Sequence, residues 1–203
     1  GLERTVGAIS ERNRTPVFIT ANSIQDCYRY AHAVNNRFNP CPIIDAPMLT
    51  VEPGFFTANL LQRYQNNLLI SNIELLRQTV NKVRTKYPFH IDAWVVLPDH
   101  IYCIWTLTSN DADFSNRWWL IIKWIFEATP DTEYRSKAWT RNGKRGNWQR
   151  HYWEHHLRDD SDYQRHVDYI RVNPLKHGHV EHAIDWPYST FHQYVAKGIY
   201  PTN

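Results

Sequence analysis

The sequence predicts an α+β fold in which an antiparallel sheet carries helices on one face. Two apolar runs, Ala93–Leu97 and Ile101–Leu107, flank the turn-forming pair Pro98-Asp99, which is typical of a β-hairpin. Two segments, 70–86 and 112–128, repeat apolar residues at intervals of three and four, which indicates amphipathic helices. At 203 residues the chain has room for one domain with a sizeable core.

The first half of the core is predicted to run strand, helix, strand, strand. A strand is predicted over Phe55–Leu61, after the turn-forming pair Pro53-Gly54. The helix over 70–86 follows, and Pro88 stops it because proline cannot continue a helix. The strand Phe89–Leu97 then opens the hairpin.

The second half is predicted to run helix, strand, helix. After the helix over 112–128, the aromatic segment Trp148–Leu157 contains the fourth strand. A helix over 160–173 begins at an Asp159 or Asp160 N-cap and is predicted to close at Pro174, because proline disfavours helix in the residue before it. Hairpin-connected strands with helices between the other pairs favour an antiparallel α+β sheet. A turn at His177-Gly178 and a short helix near Ser189–Lys197 are predicted in the tail.

Residues 1–47 differ in composition from the rest and are predicted to form an extension of unknown role, ahead of a domain spanning 48–203. They are rich in Asn, Arg, Pro and Ser, and a short helix over 23–36 is the one element predicted there. Met48, the only methionine, stands at the boundary. We expect the domain to fold without the extension.

The composition excludes several classes of protein. Nine Trp, twelve Tyr and eight Phe favour a folded chain over a disordered one. No apolar run approaches the roughly 20 residues of a membrane span, and no secretory signal pattern opens the chain. Cys27, Cys41 and Cys103 have no metal-binding spacing, and their odd number suits a reducing cytoplasm. The net charge of +3 identifies no partner.

His100 and Tyr102 are the first candidates for chemistry. Because side chains alternate along a strand, both point to one face of the sheet and Ile101 points to the other. A His-hydrophobic-His triplet here would offer two imidazoles to one metal ion, but a phenol stands in the second position. A neutral imidazole is a usable ligand at pH 7, whereas a phenol with a pKa of about 10 must first lose a proton.

A second set of candidates lies along the helix 160–173. Asp162, His166, Tyr169 and Asn173 are spaced four, three and four, so Tyr169 and Asn173 lie one turn apart and can reach the same point. Tyr169 could then be a nucleophile, and Asn173 an oxygen ligand of a metal-bound phosphate. The spacing alone equally allows Tyr169 to be an ordinary half-buried tyrosine and Asn173 a helix-ending residue before proline.

Basic and aromatic residues suggest contacts with DNA. From Arg135 to Arg150 there are six Arg or Lys and no acid, which fits either a solvated surface or a phosphate-binding patch. Aromatic rings beside it can stack on unpaired bases. The candidate DNA contacts are Arg141, Lys144, Arg145, Trp148, Arg150, His166, Lys176 and His177. A zinc site at His151, His155 and His156 is not favoured, because no cysteine lies nearby.

Four segments together resemble the REP-associated tyrosine transposases, which are single-tyrosine HUH (His-hydrophobic-His) transposases that bind short palindromic hairpins in bacterial genomes. The segments are 93–107, Trp148–His155, His166–Gly178 and Asp185–Phe191, and the likeness runs from about Val51 to Pro201. The resemblance implies a ferredoxin-like HUH domain that binds single-stranded hairpin DNA. It also implies that His100 is the first metal histidine, Tyr169 the attacking tyrosine and Asn173 the third metal ligand.

The reaction implied by the resemblance is attack by the tyrosine on a single-stranded phosphodiester, leaving a 5′-phosphotyrosine and a free 3′-OH, with Mg²⁺ or Mn²⁺ as cofactor. Tyr102 occupies the second histidine position, so a weakened or absent metal site is expected. The alternative is a DNA-binding protein that keeps hairpin recognition and has lost the chemistry. RNA binding is less favoured, because no strand carries an aromatic RNP-type run. The expected location is the bacterial cytoplasm, and a monomer is favoured.

Overall fold

The chain folds around a four-stranded sheet with helices on both faces. The computed structural model describes residues 53–129, 148 and 152–200. The strands are β1 (Gly54–Asn59), β2 (Phe89–Val96), β3 (His100–Leu107) and β4 (Trp153–His156). The helices of this part of the chain are α1 (Leu68–Ser71), α2 (Ile73–Lys86), α3 (Phe114–Ala128), α4 (Asp160–Lys176) and α5 (Phe191–Ala196), with a 3-10 turn at Ala183–Asp185.

The strands pair antiparallel in the order β2-β3-β1-β4. β2 and β3 form the predicted hairpin, and the Leu97 amide donates to the His100 carbonyl at 2.9 Å across its turn. β1 places Thr57 opposite Tyr102 and Asn59 opposite His100, so these four side chains share one face of the sheet. The predicted α+β class with an antiparallel sheet is confirmed.

The apolar stripes of α2 and α3 cover one face of the sheet. Leu76 and Val83 of α2 are buried against it. Trp118 of α3 stacks on Trp105 of β3 with ring centres 4.4 Å apart, and both rings are fully buried. The intervals of three and four that predict these helices are the intervals that place apolar side chains on one side of a helix.

α4 covers the opposite face, so the prediction that the helices share one face holds only for α2 and α3. Every residue of β3 is buried, including Tyr102 and Ile104, which point away from α2 and α3. Val167 and Ile170 of α4 pack over this second face. A strand that is apolar on both sides must be covered on both sides, and this requirement explains the second helical layer.

Two helix boundaries differ from the sequence prediction. A break at Asn72 separates α1 from α2, where the sequence predicts one helix over 70–86. α4 continues through Pro174 to Lys176, so the prediction that Pro174 closes it is wrong. A proline removes one amide donor but leaves the following residues free to stay helical. The helix ends instead where Gly178 adopts a φ of +69°, which glycine tolerates without a side-chain clash.

Several sequence predictions fall outside the described residues. These are the extension 1–47 with its helix over 23–36, the basic residues Arg141, Lys144, Arg145 and Arg150, and His151. Among the helices that the structure describes, none has the length and apolar character needed to cross a membrane.

Asp162 ties the start of α4 to β4. Its Oδ2 accepts hydrogen bonds from His155 Nε2 at 3.0 Å and Arg158 Nε at 3.2 Å, and its Oδ1 accepts one from Arg165 at 3.2 Å. Burial alone would raise the pKa of Asp162, but these donors outweigh burial and hold the pKa well below its usual range. The carboxylate is therefore ionised and surrounded by donors.

We expect Asp162→Asn to lower the free energy of unfolding at neutral pH by about 1–3 kcal/mol, because its donors lose a charged acceptor. A carboxylate whose pKa is lowered by folding stabilises the protein above its unfolded pKa of 3.8, and this contribution is lost as the pH falls below that value. The difference between the variant and the unaltered protein should therefore shrink in acid. Urea unfolding at neutral pH and at about pH 3 measures it.

Asp160→Asn is the matched control, because Asp160 is an exposed acid in the same helical turn. It should change the free energy of unfolding by less than about 0.5 kcal/mol. An equal loss for Asp162→Asn at both pH values would contradict the role given to the ionised carboxylate.

Candidate active site

His100 opens β3 at the end of the hairpin turn, and its side chain is buried, at 1% exposure, on the face covered by α4. Its Nδ1 lies 2.6 Å from Asp99 Oδ1, while Asp99 Oδ2 accepts a hydrogen bond from Arg63 Nε at 2.6 Å. The bond to Asp99 assigns the ring proton to Nδ1 and leaves a lone pair on Nε2. Nε2 has no hydrogen-bond partner among the described residues. A carboxylate that orients a histidine in this way is typical of metal sites.

The surroundings keep the Asp99 carboxylate ionised and the His100 imidazole neutral. Burial alone would raise the pKa of Asp99, but the hydrogen bonds from His100 and Arg63 outweigh it and lower the pKa to about 2. Burial lowers the pKa of His100, and the bond to Asp99 offsets this only in part. The neutral imidazole is the form that binds metal ions.

Tyr169 and Asn173 lie on the buried side of α4, facing the sheet. Tyr169 is 4% exposed and Asn173 is fully buried. The Asn173 amide nitrogen donates to the Tyr169 carbonyl at 2.8 Å, which fixes the orientation of the amide. Asn173 Oδ1 is buried and has no hydrogen-bond partner within the described part of the chain. The spacing of four residues thus brings both side chains to one side of the helix.

Aromatic rings connect the strand residues with the helix residues. The ring centre of Tyr102 lies 4.9 Å from that of His100 and 5.0 Å from that of Tyr169, with edge-to-face geometry in both pairs. Phe55 of β1 lies 6.1 Å from Tyr102 and 6.0 Å from Tyr169. The structure therefore brings His100, Tyr102 and Tyr169, which the sequence places far apart, into one cluster.

His100 Nε2 and Asn173 Oδ1 fit a divalent cation. Buried polar atoms nearly always have partners, and these two have none among the described residues. An imidazole nitrogen and an amide oxygen are donors found in Mg²⁺ and Mn²⁺ sites. Tyr102 is a poorer candidate, because its ring is packed in the aromatic cluster at 5% exposure and a phenol must lose a proton to bind strongly.

Lys176 and His177 lie at the end of α4, next to the cluster. Both side chains are exposed. Lys176 Nζ lies 5.9 Å from the ring centre of Tyr169, and the ring centre of His177 lies 5.2 Å from that of His100. Desolvation, followed by the nearby His100 and Lys176, lowers the pKa of His177 to about 4. The structure therefore places these two candidates beside His100 and Tyr169.

Trp148 and His166 are placed differently from what their predicted role in DNA binding requires. Trp148 is 7% exposed, bridges to Leu60 and packs in the core under α2 and α3. His166 is 2% exposed, with its ring centre 4.6 Å from that of Phe55. A buried side chain cannot stack on a base or reach a phosphate without moving, so the placement argues against both contacts. Aromatic and histidine residues serve cores as well as surfaces, which is why composition cannot separate the two roles.

His155, Asp162 and His166 form the one group of three potential metal ligands found in the described part of the chain, with ligand atoms within 4.8 Å of one another. The Asp162 carboxylate already accepts hydrogen bonds from His155 and two arginines. His166 Nδ1 lies 2.7 Å from the Asp162 carbonyl oxygen. These contacts give the group a structural role in anchoring α4.

Sequence reasoning missed Arg63 and the orienting role of Asp99. Asp99 is predicted only as a turn residue, although a carboxylate next to a candidate metal histidine is a signal that could have been used. Arg63 lies 37 positions before His100 in a segment without periodicity, and only the fold brings its guanidinium within 3.2 Å of His100 Nδ1.

Comparisons with known proteins identify the family. The chain is 46% identical to a REP-associated tyrosine transposase of Escherichia coli over 147 residues, which are 72% of this chain and 81% of the relative. A Haemophilus influenzae relative is 38% identical over 148 residues, which are 72% of this chain and 84% of the relative.

A solved structure of a REP-associated tyrosine transposase bound to a REP hairpin matches with a TM-score of 0.63 at 44% identity, covering 74% of this chain and 83% of that one. The sequence matches none of the protein-family models with which it was compared. At 46% identity to a relative of which it covers four fifths, the chain belongs to the REP-associated tyrosine transposases.

Proposed function

We propose that the chain binds single-stranded DNA hairpins of palindromic repeats and cleaves and rejoins the strand through Tyr169. The observation that carries the proposal is that Tyr169 shares one sheet face with two unpartnered ligand atoms of the described chain, His100 Nε2 and Asn173 Oδ1. Family membership supports it, and the matched relative was solved with a REP hairpin bound.

Tyr169 acts as the nucleophile in this proposal. Its phenol oxygen bonds to phosphorus, the bond between phosphorus and the 3′ oxygen breaks, and the phenol proton passes through solvent to the departing oxygen. The products are a 5′-phosphotyrosine and a free 3′-OH. Attack by a 3′-OH on the phosphotyrosine reverses these bond changes and rejoins a strand.

His100 and Asn173 are the residues that would hold a Mg²⁺ or Mn²⁺ ion, which when bound polarises the phosphate and helps to orient it. Asp99 holds His100 in the tautomer that exposes Nε2, and the bond from Asn173 to the Tyr169 carbonyl fixes Oδ1. Tyr102 provides no second imidazole on β3. The metal site is therefore weaker than one with two strand histidines.

Positive charge at the edge of the site suits a DNA backbone. Lys176 is exposed beside Tyr169, and Arg63 is part-exposed beside His100. Each can meet a phosphate near the nucleophile, and such contacts make binding dependent on salt.

A catalytically inactive hairpin-binding protein is the second candidate function. The observation that favours it is the packing of Tyr102 against Phe55 and Tyr169, which gives this residue a structural role in place of a ligand role. Hairpin binding is common to both candidates, and covalent adduct formation separates them.

We expect the protein to bind a single-stranded hairpin more tightly than a duplex of matched sequence, with affinity falling steeply as salt rises. Lys176→Ala should weaken hairpin binding and reduce the slope of log affinity against log salt by about 0.7, because one phosphate contact is lost. Lys82→Ala on α2, which lies on the other face of the sheet, is the matched control and should change neither quantity. Equal affinity for hairpin and duplex in a gel-shift titration would contradict the proposal.

We expect Tyr169→Phe to abolish any covalent protein–DNA adduct, because only the hydroxyl can attack the phosphate. Tyr102→His should raise the rate of adduct formation at least about tenfold, since even changes outside the ligand set alter metal affinity by about 10–100-fold. A denaturing gel of labelled hairpin incubated with Mn²⁺ measures both effects. Tyr64→Phe removes the hydroxyl of a tyrosine that is 81% exposed, and it should leave the adduct unchanged.

Robust adduct formation by the unaltered chain, without a gain from Tyr102→His, would show that Tyr102 does not weaken the site. Hairpin binding without any adduct, even after Tyr102→His, would favour the inactive binding protein.

A further inference from the structure

The second strand position of the metal site is filled by a residue that packs instead of binding a metal. Tyr102 lies between His100 and Tyr169 in the aromatic cluster. Another imidazole reaches His100 from outside the strand, because His177 at the end of α4 lies next to it. We propose that His177 supplies the second imidazole to a divalent ion held by His100 and Asn173. This inference rests on the metal site of the proposed function.

The distance between the two imidazoles suits a shared ion. Their ring centres are 5.2 Å apart and their planes are inclined by 69°. An imidazole nitrogen binds a divalent ion at about 2.1 Å, which places the centres of two rings that share an ion roughly 5 to 6 Å apart. His100 contributes through Nε2, its buried atom without a partner among the described residues.

The path of α4 fixes His177 relative to Asn173. The two residues are four positions apart, and the His177 amide donates to the Asn173 carbonyl at 3.0 Å. Helical geometry therefore places both side chains on one side of the helix end. Gly178 with its positive φ then turns the chain away, with its amide bonded to the Leu175 carbonyl at 2.9 Å. This ordered end depends on the helix continuing through Pro174.

His177 is available as a ligand in a way that its neighbours are not. Its side chain is exposed, and its ring contacts within the described chain are with His100 and His179. An imidazole binds metal without first losing a proton from a group as weakly acidic as a phenol. Both Asp99 carboxylate oxygens are already in use, one at His100 Nδ1 and one at Arg63 Nε.

The test is direct Mn²⁺ binding by the full chain without DNA, followed by electron paramagnetic resonance of the free ion. We expect His177→Ala to weaken Mn²⁺ binding at least about tenfold. Tyr102→Phe, which keeps the packed ring and removes the oxygen, should leave the affinity unchanged. His182→Ala removes a neighbouring exposed histidine that pairs with Asp185, and it serves as the matched control.

The outcomes separate this inference from the proposed function. If His100→Ala and Asn173→Ala weaken Mn²⁺ binding while His177→Ala does not, His177 is not a ligand and the proposed metal site stands. If Tyr102→Phe weakens binding and His177→Ala does not, the phenol is the ligand and the inference is overturned. If none of these variants changes the affinity, the metal site of the proposed function fails, and the inference fails with it. Because the inference is decided by comparing His177→Ala with Tyr102→Phe, unfolding of a variant at a buried ligand does not affect the result.

Discussion

The packing of α4 against the second face of the sheet is the interaction on which the candidate site depends. Val167 and Ile170 are buried there, and burying one such side chain contributes about 1.5–3 kcal/mol. The same contact carries Tyr169 and Asn173 to the strand that begins with His100. Asp162 secures one end of the helix to β4, and the turn at Gly178 defines the other. A change that loosened α4 would therefore affect stability and the site together.

The structure leaves buried polar atoms unpaired at the point where the site would act. A buried donor or acceptor without a partner costs about 1–3 kcal/mol. Among the described residues His100 Nε2 and Asn173 Oδ1 are two such atoms, whereas Asp99 and Asp162 nearby are surrounded by donors. A cation that bound the two atoms would remove this cost, and the bound metal would in turn stabilise the fold. The contrast supports a site prepared for a ligand over a defect in packing.

Much of this arrangement could be predicted from local rules. Alternation along a strand places His100 and Tyr102 on one face, and helical spacing places Tyr169 and Asn173 on one side. The rules could not show that α4 covers a second face or passes through Pro174, because both follow from apolar burial in the tertiary fold. Arg63 and His177 approach His100 only after the chain has folded. The burial of Trp148 is likewise a property of the packed core.

The arrangement of His100, Asn173 and His177 around one divalent ion is the central claim, and anomalous diffraction from crystals soaked in Mn²⁺ tests it most directly. We expect a single strong manganese peak about 2.0–2.3 Å from His100 Nε2, Asn173 Oδ1 and an imidazole nitrogen of His177. A peak bound by the Tyr102 oxygen with His177 turned away would contradict the claim. So would a peak only at His155, Asp162 and His166, or no peak on this face of the sheet.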